Sequence, residues 1–141
     1  MSELRAIVYV SSATHLMTTP QLERLLTEAR ARNAVNAVTG VLLYNDGNFM
    51  QYIEGLQDDI SVTYERIVAS KRHQHIISIL NQRITQRSFA EWEMGFAQPT
   101  KSELLALSTA RWQSVESEAA RSLATSSGLA LLRDFWKRAR K

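Results

Sequence analysis

Three residues in this chain have side chains suited to grip a flat polar molecule, and each lies where the local pattern turns it inward. Gln51 stands in an extended run from Phe49 to Glu54, where alternation puts Phe49, Gln51 and Ile53 on one face and Met50, Tyr52 and Glu54 on the other. An uncharged amide between two apolar neighbours needs a partner, because a buried amide left unpaired costs about 1 to 3 kcal/mol per group. That partner is either a backbone group or water, or a planar polar ligand. Tyr9, in a first strand, and Asn33, near the end of a first helix, add a phenol and a second amide on the same side of the sheet. Taken singly, Tyr9 reads as a core aromatic and Asn33 as a helix cap. Taken together, with a helix on either flank, they make a slot with polar anchors and apolar walls, suited to a flat heteroaromatic ring.

The elements that must position these groups follow from periodicity. Leu4 to Ser11 alternates as a strand, with Ile7, Tyr9 and Ser11 on one face and Ala6, Val8 and Val10 on the other. Thr19-Pro20 starts a helix with Thr19 as N-cap; Leu22, Leu25, Leu26 and Ala29 form its buried stripe, Glu23, Arg24, Glu28 and Arg30 point out, and Arg32-Asn33 ends it. Val38 to Tyr44 and Phe49 to Glu54 form a hairpin across Asn45-Asp46-Gly47-Asn48, in which the glycine supplies the positive φ of a tight turn. A second helix runs from Asp58 to Ser70 with Ile60, Tyr64, Ile67 and Val68 buried, and strands follow at His75 to Thr85 and Trp92 to Gln98. The order is βαββαβ with an additional strand, an α+β fold whose two helices pack on one face of a mixed sheet. Residues 100 to 141 change character, with helical patterns at Ser102 to Leu107, Ser114 to Ala124 and Leu129 to Lys141. The last is amphipathic through Leu131, Leu132, Phe135 and Trp136, and the C-terminal helices are expected on the other sheet face or against a second subunit or partner.

Composition limits the chemistry. There is no cysteine among the 141 residues, which excludes disulfides and thiolate chemistry. His73 and His75 lack a third ligand nearby, so a metal site is not expected. The formal charge of +3 is concentrated at the end: Arg133, Lys137, Arg138, Arg140 and Lys141 against Asp134 leave residues 1 to 132 at −1, so the body is not a polyanion-binding surface. The early acid at Glu3 and the short β-rich run after it fit neither a signal peptide nor a membrane span, and the expected location is the cytoplasm.

Five fragments, in order and at this spacing, resemble BLUF domains, the blue-light sensors that bind FAD. They are Tyr9; Asn33 with Thr39-Gly40; Phe49-x-Gln51-x-Ile53-Glu54-Gly55; Arg72-His73; and Arg87-x-Phe89-x-x-Trp92-x-Met94. The resemblance covers about residues 4 to 98. It implies a ferredoxin-like fold with a flavin-binding photosensory domain at residues 1–98, and a C-terminal helical extension at 99–141 serving as cap, output or oligomerisation element. It implies FAD, with FMN as the alternative, held without a covalent bond between the two helices. Tyr9 and Gln51 would be the photochemical pair and Asn33 a ring anchor. Leu25, Ala29 and Ile67 would wall the ring, Arg66 would lie towards the ribityl and phosphate end, and Trp92 and Met94 would sit on the strand that switches. Arg32 and Ala29 depart from the asparagine or histidine and the serine common in relatives, and Ile53 replaces a leucine.

The same resemblance implies a mechanism without substrate turnover. Tyr9 gives an electron to the excited ring while its proton moves through Gln51, and recombination leaves the amide rotated or tautomerised. The changed network biases the Trp92 to Met94 strand, and the signal passes to a separate effector or a homo-oligomer formed through the sheet face or C-terminal helices. Two other readings use the same fold. An RNA-binding module would stack bases on Tyr9 and Phe49. A hydrolase resembling acylphosphatases would need an arginine in a phosphate cradle after the first strand, which Ser12 to Met17 does not supply.

Overall fold

The computed structural model describes residues 3–112 and 127–139. β1 (Leu4–Ala13) leads into α1 (Thr19–Asn36), β2 (Thr39–Asn45) and β3 (Asn48–Leu56) form a hairpin, and α2 (Gln57–Ala69) returns the chain to β4 (His73–Ile84). After an irregular stretch come β5 (Gly95–Ala97), α3 (Lys101–Thr109) and α4 (Ser127–Ala139). The five strands lie in the order β4-β1-β3-β2-β5. The first four are antiparallel to their neighbours and β5 runs parallel to β2, which is the expected mixed ferredoxin-like sheet with its additional strand.

Each face carries its own core. Ile7, Leu22, Leu26, Leu42, Phe49, Ile53 and Ile60 pack between the sheet and α1 and α2. Ala6, Val8, Leu43, Met50 and Tyr52 pack on the other side against Leu104, Leu107, Leu132, Phe135 and Trp136 of α3 and α4. The alternation read from the strands is thus the alternation of two buried faces. The C-terminal helices cover that face of the sheet from within the chain. The helical pattern expected at Ser114 to Ala124 lies outside the described residues. Among the described residues no helix is long and apolar enough to cross a membrane.

Several boundaries differ from expectation, for local reasons. The N-cap of α1 is Thr18, not Thr19: its side chain accepts from the Gln21 N–H while the Gln21 side chain accepts from the Thr18 N–H, a reciprocal capping box. The helix does not end at Arg32-Asn33 but continues to Asn36, and Ala37 takes the left-handed conformation, φ 53°. Asn33 is therefore free of capping duty and turns its side chain into the molecule. In α2 the buried positions are Ile60 and Thr63, with Tyr64 and Ile67 partly buried, whereas Val68 is exposed. In α4 it is Leu131 that faces outward.

The hairpin turn is the expected one: Asp46 and Gly47 both have positive φ, 44° and 90°, the requirement of a tight turn between twisted strands. The fourth strand starts earlier than expected, at His73, and is bulged twice against β1, between Val8 and Tyr9 and between Val10 and Ser12. His75 takes φ 56° at the second bulge. Cross-strand partners share a face, so His73, Ser78 and Asn81, opposite Ala13, Tyr9 and Ile7, all point to the helix side despite separations of five and three residues.

Candidate functional site: the cleft between the two covering helices

Tyr9 and Gln51 are direct cross-strand partners in the β1–β3 register. Side chains at such a pair leave the sheet about 5 Å apart on one face, which is why a phenol and an amide separated by 42 positions meet. The Tyr9 hydroxyl donates to Gln51 Oε1. The other end of the amide, Nε2, donates to the Met94 sulfur at 3.3 Å. Tyr9, Gln51 and Met94 therefore form one buried chain of hydrogen bonds leading from the floor of the cleft to the strand-order edge at β2 and β5.

Burial, and then the neighbouring Tyr64 phenol, push the Tyr9 hydroxyl far above its ordinary value, so it stays protonated and donating. Tyr52, on the opposite face, is raised too, first by burial and then by the negative charge of Glu54. Both phenols bind their protons more tightly folded than unfolded, so their contribution to stability is complete below the unfolded value, about pH 10, and is lost as pH rises beyond it. We expect alkaline unfolding above about pH 10, with tyrosinate absorbance and loss of circular dichroism rising together. Tyrosinate appearing in a still-folded protein at all four tyrosine positions would contradict the burial of this pair.

Asn33 is buried, and its Nδ2 donates to the Glu93 carbonyl at 2.6 Å. One turn earlier Arg30, expected to point into solvent, donates from Nε to the Met94 carbonyl at 2.9 Å. Helix α1 thus grips the chain on both sides of the Met94 α-carbon. The expected strand from Trp92 to Gln98 is shorter, Gly95–Ala97. Trp92 and Met94, which would share a face in a strand, lie instead on opposite faces of the sheet. Met94 belongs to the core under α1 and α2. Trp92 packs edge-on against Trp136 of α4, ring centres 5.2 Å apart, on the far side.

Above Tyr9 and Gln51 a cavity of about 100 Å³, open to solvent, lies between α1 and α2. Leu25, Ala29 and Asn33 line it from α1, and Arg66 and Ile67 from α2, so every residue expected to form a ring site borders the same space. Residues that the pattern did not single out as lining it are Arg32, Leu42, Thr63, Ser70, Arg72 and His73. His73 lies before the expected start of that strand at His75, and the sequence marked it only through the Arg72-His73 fragment of the resemblance. Its Nε2 lies 2.8 Å from the Ile67 carbonyl, which can only accept, so Nε2 donates there, and Nδ1 lies 2.7 Å from the Ser11 hydroxyl. The ring so held stands 5.8 Å from the ring of Tyr9.

The chemistry of this lining fits a flavin. The walls Leu25, Leu42 and Ile67 are apolar, the floor offers an amide and a phenol, and the buried hydroxyl of Thr63 has no hydrogen-bond partner in the protein. Arg32, Arg66 and Arg72 bring positive charge suited to a phosphate-bearing tail. Arg72 also bonds Glu28 at 2.9 Å, and that hydrogen bond holds the Glu28 carboxyl below its ordinary value. The RNA-binding reading fails on the same geometry, since Tyr9 and Phe49 point under α1 and α2 and the opposite face is covered by α3 and α4.

Comparison with known proteins agrees with this architecture. Residues 4–95 match the family described as BLUF, sensors of blue-light using FAD. A photoactivated adenylate cyclase subunit beta from Euglena longa is 34% identical over 94 residues, 66% of this chain and 11% of that protein. This chain thus spans about a tenth of the length of the Euglena relatives it matches. The photo-activated state of BlsA is similar with a TM-score of 0.75 at 26% identity, covering 98% of this chain and 97% of that one. The dark state of BlrB, a BLUF protein, is similar with a TM-score of 0.73 at 28% identity, covering 98% of each. A sheet, cleft and hydrogen-bond chain built as these are, and a family match over residues 4–95, lead to one conclusion: the chain belongs to the BLUF family of blue-light sensors using FAD.

Proposed function

We propose that this chain is a cytoplasmic photosensor that holds FAD without a covalent bond between α1 and α2, turns over no substrate, and signals through residues 92 to 94 to its C-terminal helices. The observation that carries this reading is the unbroken chain from the Tyr9 hydroxyl through Gln51 to Met94. Asn33 and Gln51 would hold the polar edge of the ring, Leu25, Ala29 and Ile67 its faces, and Arg66 the ribityl and phosphate end. Oxidised flavin supplies, once it absorbs blue light, a strong electron acceptor.

Tyr9 gives up one electron, and its phenolic proton leaves along the hydrogen bond it already makes to Gln51 Oε1. When the electron and proton return, the amide is left rotated or tautomerised. Rotation puts Nε2 towards the Tyr9 oxygen and Oε1 towards the Met94 sulfur. A thioether has no proton to donate, so the Gln51–Met94 contact is lost. In a buried network, one such bond is worth about 1 kcal/mol net and more where water is excluded. That bias acts on a segment lying across the sheet edge from Trp136, and hence on α4. The receiver would be a separate effector or a second copy meeting α3 and α4.

The test is the absorption spectrum of the purified protein before and after blue light. A yellow protein with a red shift that reverses in the dark is expected. A colourless protein that does not take up FAD, or a yellow one whose spectrum does not move, would defeat the proposal.

A further inference from the structure

The segment from Arg87 to Met94 bears the contact to Gln51 yet belongs to no strand or helix. Its Gln51 end is gripped by groups bordering the cleft, whereas its other end is tied to one buried carboxylate. Glu54 lies in β3 three positions after Gln51, on the opposite face, and is fully buried. Oε1 accepts from the Ser88 N–H at 2.8 Å and the Tyr52 hydroxyl at 3.1 Å; Oε2 accepts from the Phe89 N–H at 2.7 Å and the Thr39 hydroxyl at 3.1 Å. Each oxygen therefore takes one backbone donor from the segment and one hydroxyl from the sheet. Hydrogen bonds to a charged acceptor are roughly twice as strong as neutral ones. The positive charge of Arg87 is relayed rather than paired directly, since Nη1 donates to the Thr39 hydroxyl at 2.8 Å and to the Glu54 carbonyl at 3.3 Å.

From this anchor the tie runs on towards the switch. The Phe89 carbonyl accepts from the Trp92 N–H at 3.0 Å, closing a turn, and the Trp92 carbonyl accepts from the Gly40 N–H at 2.9 Å. The side of the segment facing the cleft is held by Gln51, Asn33 and Arg30, and of these Gln51 loses its contact to Met94 when its amide rotates. The Glu54 side touches none of them. Between Glu54 at one end and the pairing of Gly95 with Val41 at the other, the stretch that loses a contact is the one nearer Met94, so it shifts relative to the Glu54 anchor.

We propose that Glu54 is a positioning residue of the light response: its carboxylate is the fixed hinge on which residues 88 to 94 move, and it sets how quickly Met94 finds Gln51 again in the dark. This rests on the sensor reading above. Loosening the hinge leaves Tyr9 and Gln51 in place, so the light-driven step is unaffected, while the return becomes a search among more positions of Met94.

Glu54→Gln tests it, because an amide keeps one accepting oxygen and presents its NH₂ to a second N–H, orphaning the Ser88 or the Phe89 amide. The flavin-loaded variant is expected to show a full light-induced shift with dark recovery slowed about tenfold, against the unaltered protein. In the flavin-free variant, amide hydrogen exchange at Ser88 and Phe89 is expected to be faster, with β1 unchanged. Tyr52→Phe, which removes one hydroxyl donor to Glu54 but keeps both backbone donors of the segment and the ring that packs against Phe89, should lower stability and leave recovery alone. Arg87→Ala, which keeps the carboxylate, should slow recovery by a smaller factor and serves if Glu54→Gln does not fold. Recovery within about twofold of the unaltered protein in both the Glu54 and Arg87 variants, or equal slowing by Tyr52→Phe, overturns the hinge. An unaltered protein without any light-induced shift would instead show the sensor reading itself to be at fault.

Discussion

Tyr9→Phe is expected to give a yellow protein that absorbs blue light and shows no red shift. The substitution removes one oxygen and keeps the ring, so the contacts of that ring with Tyr64 and His73 remain. Asn33, Arg66, Leu25 and Ile67 are untouched, and flavin uptake should be close to that of the unaltered protein. What disappears is the donor to Gln51 Oε1 and, with it, a proton coupled to the electron that Tyr9 would supply. Losing the bond costs about 1 kcal/mol of stability, small beside complete loss of the photoresponse. The measurement is a light-minus-dark difference spectrum under continuous illumination. A normal shift in this variant would remove Tyr9 from the mechanism and leave the cleft a flavin site with a different electron donor.

Gly40→Ala should have the largest effect on the fold. A β-carbon at position 40 would lie 1.9 Å from the Tyr52 carbonyl oxygen and 3.1 Å from the Ile53 α-carbon, both backbone atoms that cannot swing away. The residue also has φ +156°. Relief requires β2 and β3 to separate beside Gln51, and the N–H of Gly40 is the one that holds the Trp92 carbonyl. Overpacking of this severity costs about 3 kcal/mol or more, a fall in Tm of roughly 10 °C for a domain of this size. Thermal melting followed by circular dichroism reads it. A variant melting within about 2 °C of the original would mean that the two strands do not approach this closely.

These two positions illustrate different kinds of legibility. Tyr9 and Gln51 could be placed on a common face from alternation alone, because each strand is short, regular and buried on both sides, so period two survives into the fold. Gly40 could be flagged as part of a recurring motif, but its reason is a carbonyl on a neighbouring strand that no local pattern reveals. The same holds for β4, where the first bulge reverses the parity and turns Ser78 towards the helices and the second restores it; periodicity assumes an unbroken ladder and misplaces the residues between the two bulges. Arg30 read as a solvated charge and Asn33, taken without Tyr9 and Gln51, as a helix cap. Both assignments were reasonable for a helix considered alone, and both changed because the chain near Met94 passes within reach of that face of α1.

The amino-acid sequence by itself determined the order of elements, the two-faced burial of the sheet, and the presence on one face of a phenol, an amide and a helix-borne asparagine, since all of these follow from residue type and spacing along the chain. Only the tertiary structure decided that Trp92 and Met94 part to opposite sides of the sheet, that α1 holds the backbone on either side of Met94, and that Glu54 moors residues 88 and 89. Those facts depend on an irregular segment whose hydrogen-bonding groups are satisfied by partners remote in sequence, and remote pairing leaves no period to read.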